Sequence, residues 1–217
     1  MRKSHKAFQF RIYPTEEQKE LFAKTFGCCR FIYNQMLSDK IEEYKKTGKM
    51  LKTTPAAYKK EFLWLKEVDS LALANVQLHL ERAYRNFFER PEIGFPKFKS
   101  KHHSRNAYTT NLVNGNIRIF ENGIKLPKAG VVKAKIHRQI PEGFGIKAVT
   151  VRRQPSGKYY VSILFEYCAD ENQVRDREGR ELKVIGIDYA MHGLAVFSDG
   201  SKCEYPDYYR RSEKRLN

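Results

Sequence analysis

The chain has 217 residues and a mass of 25.5 kDa, enough for one large domain or two small ones with real cores. Its 41 Lys and Arg against 25 Asp and Glu give a formal net charge of +16 and a pI near 9.7, a balance that favours polyanionic partners, nucleic acid first among them. No run approaches the roughly 20 apolar residues of a membrane-spanning helix and no signal-peptide core opens the chain, so a soluble, intracellular protein without a membrane partner is expected.

Residues 6 to 13 alternate apolar and polar side chains, the period of a half-buried strand, and Pro14 ends it. Thr15 followed by Gln18 is a capping box and starts a helix, which Gly27 is expected to close. A second helix is predicted from about Cys28 to Lys46, with Phe31, Ile32, Gln35, Ile41 and Tyr44 on related faces and Gly48 as its stop. The two together read as a helical hairpin over residues 15 to 47. Such a hairpin in a basic protein also fits a DNA-binding helix-turn-helix, although hairpins of this kind are common without any DNA contact. The cysteines at 28, 29, 168 and 203 contain no C-x-x-C, so no zinc is expected; Cys28 and Cys29 read as helix residues, one of them buried.

Thr54-Pro55 is a cap followed by proline at the first helical position, starting a third helical piece toward Trp64. The longest helix runs from Ser70 to Glu89, where Leu73, Val76, Leu80, Tyr84 and Phe87 recur at helical spacing and Asn75, Gln77, His79, Arg82, Arg85 and Asn86 take other positions. Residues 15 to 90 thus form a helical unit placed after a lone strand, and that strand needs a partner later in the chain.

From residue 94 the pattern turns to alternation, with turn signals at Asn114-Gly115, Asn122-Gly123 and Pro155-Ser-Gly157. Strands are predicted near 107–113, 116–120, 123–126, 131–137, 146–153 and 158–166. With the first strand they suffice for a small barrel, giving an α+β fold. The stretch 94 to 105 interleaves Phe95, Pro96, Phe98, His102 and His103 with Lys97, Lys99, Lys101 and Arg105. Cations neutralise phosphates and aromatic faces stack on unpaired bases, so the mixture suits RNA or DNA; a basic connector whose phenylalanines dock on the core is the alternative. Adjacent histidines in an extended stretch point apart and make a poor metal pair.

The charged stretch 169 to 181 reads as a linker. After it, Val184 to Gly200 reads as a strand, a tight reversal and a second strand, with Asp188 inside the first apolar run, Val-Ile-Gly-Ile-Asp. A carboxylate among residues buried on both faces of a sheet needs a cation or donors to compensate its desolvation. Two roles fit it: a ligand of a two-metal phosphodiesterase centre, or a strand-end aspartate accepting from the amides of residues 190 to 193.

Six blocks stand in order along the chain: Phe10-Arg-Ile-Tyr-Pro-Thr-Glu-Glu-Gln18, Gly27-Cys-Cys-Arg-Phe-Ile-Tyr-Asn34, Ala83-Tyr-Arg-Asn-Phe-Phe88, Gly94-Phe-Pro-Lys-Phe-Lys99, Val149-Thr-Val-Arg-Arg153 and Gly186-Ile-Asp-Tyr with Ser198-Asp-Gly200. Together they resemble the amino-terminal half of the insertion-sequence TnpB (OrfB) family. The resemblance implies a transposon-encoded RNA-guided DNA endonuclease of the prokaryotic cytoplasm, related to compact type V CRISPR effectors, with a transposon-end guide RNA and target double-stranded DNA as partners. It implies a wedge domain of oligonucleotide-binding-like barrel form over 1–14 and 91–180, a helical recognition domain over 15–90, and the start of a RuvC (RNase H-like) domain over 181–217. On this likeness Asp188 is the first catalytic carboxylate and a Mg2+ ligand once the full site is present, and Ser70, Leu71, Ala74 and Asn75 fall where the family reads the motif beside its target. The family's later carboxylates and zinc-ribbon cysteines have no counterpart in the 217 residues, so a binding but catalytically incomplete chain is expected. A short non-cleaving regulator and a conventional transposase DNA-binding module are the alternatives. The sequence sets no oligomeric state.

Overall fold

Strand β1 (Arg2–Tyr13) alternates as its sequence demands, with Phe8, Phe10 and Ile12 buried and Ala7, Gln9 and Tyr13 exposed. The computed structural model describes residues 2–102, 104–169, 185–189, 193–205 and 208–216. Arg2–Ala169 forms one compact unit and Asp170–Asn217 belongs to a second. The later partners that β1 requires are β7 (Tyr159–Ala169), antiparallel from Arg2↔Ala169 to Ile12↔Tyr159, and β5 (Gly130–Lys135), from Arg11↔Lys135 to Tyr13↔Lys133. Adding β2 (Asn106–Asn111), β3 (Arg118–Phe120), β4 (Gly123–Leu126) and β6 (Gly145–Arg153) gives a curled seven-stranded antiparallel sheet in the order β2-β6-β7-β1-β5-β4-β3. A register shift between Ile146 and Ala148 leaves Lys147 as an extra residue in β6, a bulge that strengthens the local twist. Ile124, Leu126, Val132, Val149, Val151, Val161, Ile163 and Phe165 fill the inner face.

The sheet curls as expected of a small barrel, and among the described residues no ladder joins its end strands. Strands β2 and β3 remain edges, β3 is only three residues long, and helices rather than a strand pack against β2. Covering an edge with helices satisfies the same need as closure, because it keeps unpaired strand groups from other chains.

Helix α1 spans Glu16–Thr47 without a break, so the expected hairpin at Gly27 is replaced by one continuous rod. Glycine in a helix interior costs about 1 kcal/mol relative to alanine. Against that, Phe22 and Phe26 before Gly27 and Cys28, Cys29, Ile32, Tyr33, Met36 and Leu37 after it are all buried, and each fully buried large apolar side chain contributes roughly 1.5–3 kcal/mol. The capping box is present, with Gln18 N donating to Thr15 Oγ1 at 3.3 Å and Thr15 N donating to Gln18 Oε1 at 3.1 Å. Gln18 also reaches into the sheet, donating from Nε2 to the carbonyls of Ala129 and Val131, each at 3.0 Å. The helix ends at Gly48 in the left-handed conformation, φ +68°. Both Cys28 and Cys29 are buried, not one of them, and burial pushes their thiols up to about 11 and about 12.

Helix α2 (Pro55–Glu61) starts at proline as predicted, although the Thr54 hydroxyl makes no capping bond. A 3-10 turn over Leu63–Lys66 follows. Helix α3 (Ser70–Glu89) is capped by Asp69, whose Oδ1 accepts from Leu71 N at 3.0 Å. Leu73, Val76, Leu80 and Tyr84 are buried as their spacing predicts; Asn75 joins them and Phe87 is half-buried.

In the second unit β8 (Ile187–Asp188), β9 (Ala195–Phe197) and β10 (Lys202–Cys203) form a small antiparallel sheet, with Asp188 opposite Val196, and α4 spans Tyr208–Leu216. Most of the segment read as a linker, residues 170 to 181, lies outside the described residues, as do residues 190 to 192 of the reversal and His103.

The continuous α1 yields a test. A Cβ at Gly27 meets nothing within 4 Å, so Gly27→Ala is expected to stabilise the protein by about 1 kcal/mol and raise its thermal midpoint. A fall in midpoint would place a turn at Gly27.

Candidate nucleic-acid interface

A cleft of about 410 Å3 opens where α1, α3 and the 99–105 segment converge on edge strand β2. Helix α1 contributes Cys29 and Arg30 one turn beyond Gly27, and α3 contributes Asn75 and His79, one turn apart and so on one face. Lys99, Ser104 and Arg105 come from the loop, and Ala107, Tyr108 and Thr109 of β2 with Thr150 of β6 form the floor. Thr109 and Thr150 are cross-strand neighbours whose hydroxyls bond at 2.8 Å. The cleft therefore has a floor of alanine, tyrosine and threonine side chains beneath cationic ones.

Lys99 is held from both ends. Its backbone is clamped by one side chain, Asn34, which donates from Nδ2 to the Lys99 carbonyl at 2.9 Å and accepts from the Lys99 amide at 2.8 Å. Its ammonium lies 3.8 Å from the centroid of the neighbouring Tyr33 ring. Burial lowers the Lys99 pKa, partly offset by Cys29. His79 is shifted down as well, first by burial and then by the charges of Lys99 and Arg82, which oppose a further proton. Arg30, Lys99 and Arg105 make the lining side chains predominantly cationic, which suits a phosphate.

Of the residues singled out from sequence, Asn75, Lys99 and Arg105 meet in this cleft. Asn75 is buried, and its Nδ2 donates to the Leu71 carbonyl at 2.9 Å. Ser70 lies exposed at the first turn of α3, where Lys59 Nζ donates to its hydroxyl at 2.6 Å; Leu71 is half-buried and Ala74 exposed. Lys97 and Lys101 are exposed and line no part of the cleft. Phe95 packs on Tyr84 and Phe87, and Phe98 is exposed. Arg30, Asn34 and His79 were missed as site residues. The only signal for them was local: Arg30 and Asn34 share a block with Gly27, and His79 lies one turn from Asn75.

Asp188 is exposed on β8, beside Ile185, Ile187 and Tyr189 at 49%, 64% and 70% exposure. This corrects the expectation of residues buried on both faces and of a desolvated carboxylate; three strands of two or three residues each give the sheet little area to bury anything. The Tyr189 and Tyr205 hydroxyls bond to each other close by. Asp199, in the turn between β9 and β10, accepts from Ser201 N at 2.9 Å and Ser201 Oγ at 2.6 Å, bonds that hold its pKa below the usual range. Among the described residues no group of three or more His, Cys, Asp or Glu could hold a metal ion, and no helix is long and apolar enough to cross a membrane.

The depressed His79 pKa has a sign that can be checked. The unfolded chain takes up the proton near 6.5 while the folded chain resists it, so the contribution to stability is present above about pH 6.5 and is lost as pH falls toward the folded value. Urea midpoints measured at pH 7.5 and pH 5.5 are expected to converge in His79→Gln relative to wild type. An unchanged pH dependence would separate His79 from the charges of Lys99 and Arg82.

Comparison with known proteins gives a consistent picture. A family model described as the helix-turn-helix domain of IS605 OrfB matches residues 1–49, which here are β1 and the continuous α1. A Streptomyces pristinaespiralis protein provisionally named RNA-guided DNA endonuclease is 29% identical over 228 residues, covering 100% of this chain and 54% of its own. An Escherichia coli K12 protein, provisionally named RNA-guided DNA endonuclease InsQ, is 31% identical over 220 residues, covering 97% of this chain and 51% of its own. A solved Cas12f1–sgRNA–target DNA complex superposes over 98% of this chain and 60% of that one with 13% identity and a TM-score of 0.40, too loose a likeness to carry weight. The chain spans about half the length of the two relatives; nearly all of its residues align with them and its first 49 match the OrfB helix-turn-helix model, so it is similar to the amino-terminal half of these TnpB-type (OrfB) proteins.

Proposed function

We propose that this chain is the nucleic-acid-binding, amino-terminal part of an RNA-guided DNA endonuclease, holding guide RNA and target DNA. The observation that supports this best is the cleft in which Arg30, Lys99, Arg105 and His79 converge against edge strand β2, in a chain of net charge +16. Fixed cations of this kind neutralise phosphates and release counterions, which gives affinity and register without reading sequence. Residues 15–90 serve as the recognition domain, and 1–14 with 91–180 as an oligonucleotide-binding-like wedge. Residues 181–217 open a RuvC domain, with Asp188 as its first carboxylate and Ser70, Leu71, Ala74 and Asn75 near the target-adjacent duplex. Lys97 and Lys101 extend the phosphate-contacting stretch.

The Mg2+ pair of such a nuclease needs several carboxylates. Asp188 is exposed and faces no second one across its ladder, since Val196 lies opposite it, and Asp199 is already engaged by Ser201. The described residues do not fit a two-metal centre by themselves, so no hydrolytic step is assigned to them.

Two measurements test the reading. Purified chain is expected to carry a discrete transposon-end RNA and to bind it with strong salt dependence; Lys99→Ala and Arg105→Ala should each reduce the slope of log affinity against log salt by about 1. Random co-purifying fragments together with unaltered slopes would reduce the protein to a generic polycation. In a version extended to the relatives' full length, Asp188→Asn is expected to abolish magnesium-dependent cutting and to leave RNA binding intact. Retained cutting would strip Asp188 of its role.

A further inference from the structure

A second cavity, of about 360 Å3, lies at the other end of the helical layer, between the C-terminal turns of α1 and α3. Its walls are aromatic. Tyr84, Phe87, Phe88 and Phe95 form a connected ring cluster, with Phe95 edge-on to Tyr84 at 5.5 Å and to Phe87 at 5.4 Å, and Phe88 5.5 Å from Phe87. Met50 and Tyr44 face the cluster across the cavity. Several of these side chains are open to solvent: Phe88 is 65% exposed and Tyr44 57%.

One charged group lies deep in this apolar setting. Lys40 is buried, yet lines the cavity, and its Nζ donates to the Leu51 carbonyl at 2.6 Å. An ammonium carries three donors, and this bond uses one. Burial lowers its pKa, with Glu81 offsetting part of the effect, so an acceptor entering the cavity would stabilise the charged form. Lys45 lines the cavity as a second cation, and Lys46, Lys49 and Lys52 follow it in a stretch with no Asp or Glu from residue 44 to residue 60, although Lys46 pairs with Glu42 at 4.0 Å.

We propose that this cavity receives an unpaired guanine base of bound RNA, stacked against the Phe88 and Tyr44 rings and read by the Lys40 ammonium. Each part of the site matches one part of that ligand. Aromatic faces stack on any base, a buried lysine donor suits the O6 and N7 acceptors of guanine, and Lys45 with the lysines that follow it takes the flanking phosphates. The volume lies in the range of small-ligand cavities, which are mostly apolar with a few placed polar groups. A second copy of the chain fits worse, since it would bring two +16 bodies together at these lysines. The proposal rests on the RNA-binding reading and adds a base-selective site to it, separate from the cationic cleft.

The test uses the 217-residue chain and a short oligouridine RNA whose central nucleotide is guanosine, adenosine or abasic, followed by fluorescence anisotropy. The guanosine RNA is expected to bind about tenfold more tightly than the abasic one, with adenosine between them. Phe88→Ala should erase the gain, and Lys40→Met should equalise guanosine and adenosine while keeping both above the abasic RNA. If Lys40→Met fails to fold, Phe88→Ala, at an exposed ring, still decides. Equal, salt-sensitive binding of guanosine and abasic RNA overturns the base pocket and leaves the cleft standing, whereas no salt-sensitive binding of any RNA overturns both. Self-association in sedimentation velocity that Phe88→Ala removes would reassign the surface to a second copy and overturn the proposal.

Discussion

The fold of residues 2–169 depends on the five residues from Pro14 to Gln18, where a strand is handed directly to a long helix. Pro14 cannot continue the ladder, Thr15 and Gln18 cap one another, and the spare end of Gln18 binds two carbonyls at the head of β5. One glutamine thus fixes the helix start and its position relative to the sheet. Because β1 is itself paired along both edges, with β7 on one side and β5 on the other, the direction of α1 is inherited from a strand that cannot move without breaking two ladders. The closure spans more than 150 residues, as from Phe8 to Ile163, but its entropic cost grows only with the logarithm of loop length.

From that anchor the cleft follows. A helix leaving the sheet at a fixed angle reaches edge strand β2, and α3 completes the cover. The backbone at Lys99 is then tied to α1 through two hydrogen bonds with the Asn34 side chain. Lys99 is therefore a positioned cation, unlike Lys97 and Lys101, which share its sequence neighbourhood and not its constraint. Solvated lysines pay conformational entropy whenever they grip a phosphate, and a lysine already clamped pays less.

Much of this was legible in the residues. The alternation of β1, the Thr15–Gln18 box and the Asn-Gly turns located the strands and the start of α1, because each is set by neighbours within a few positions. What escaped was set by partners far away. Gly27 looked like a stop because local propensity favours one, and it is overruled by side chains buried on both sides of it. Asn75 looked like a surface reader and is buried, since α3 is covered on a wider arc than its five periodic apolar residues indicate. The Asn34 clamp joins positions 65 apart and leaves no local trace. The exposed setting of Asp188 was likewise invisible, because burial of a strand depends on what lies over it. Family resemblance supplied a role for Asp188 that its geometry among the described residues does not.

The unbroken α1 also makes the helix a ruler. Arg30 in the cleft and Tyr44 at the aromatic cavity lie fourteen residues apart on the same rod, which at 1.5 Å per residue is about 21 Å. A nucleic-acid strand with bases stacked about 3.4 Å apart covers that distance in roughly six nucleotides. The cleft and the aromatic cavity are thereby held at a set spacing by helix geometry. A hinge at Gly27 would leave this spacing untouched, since both sites lie on its carboxyl side.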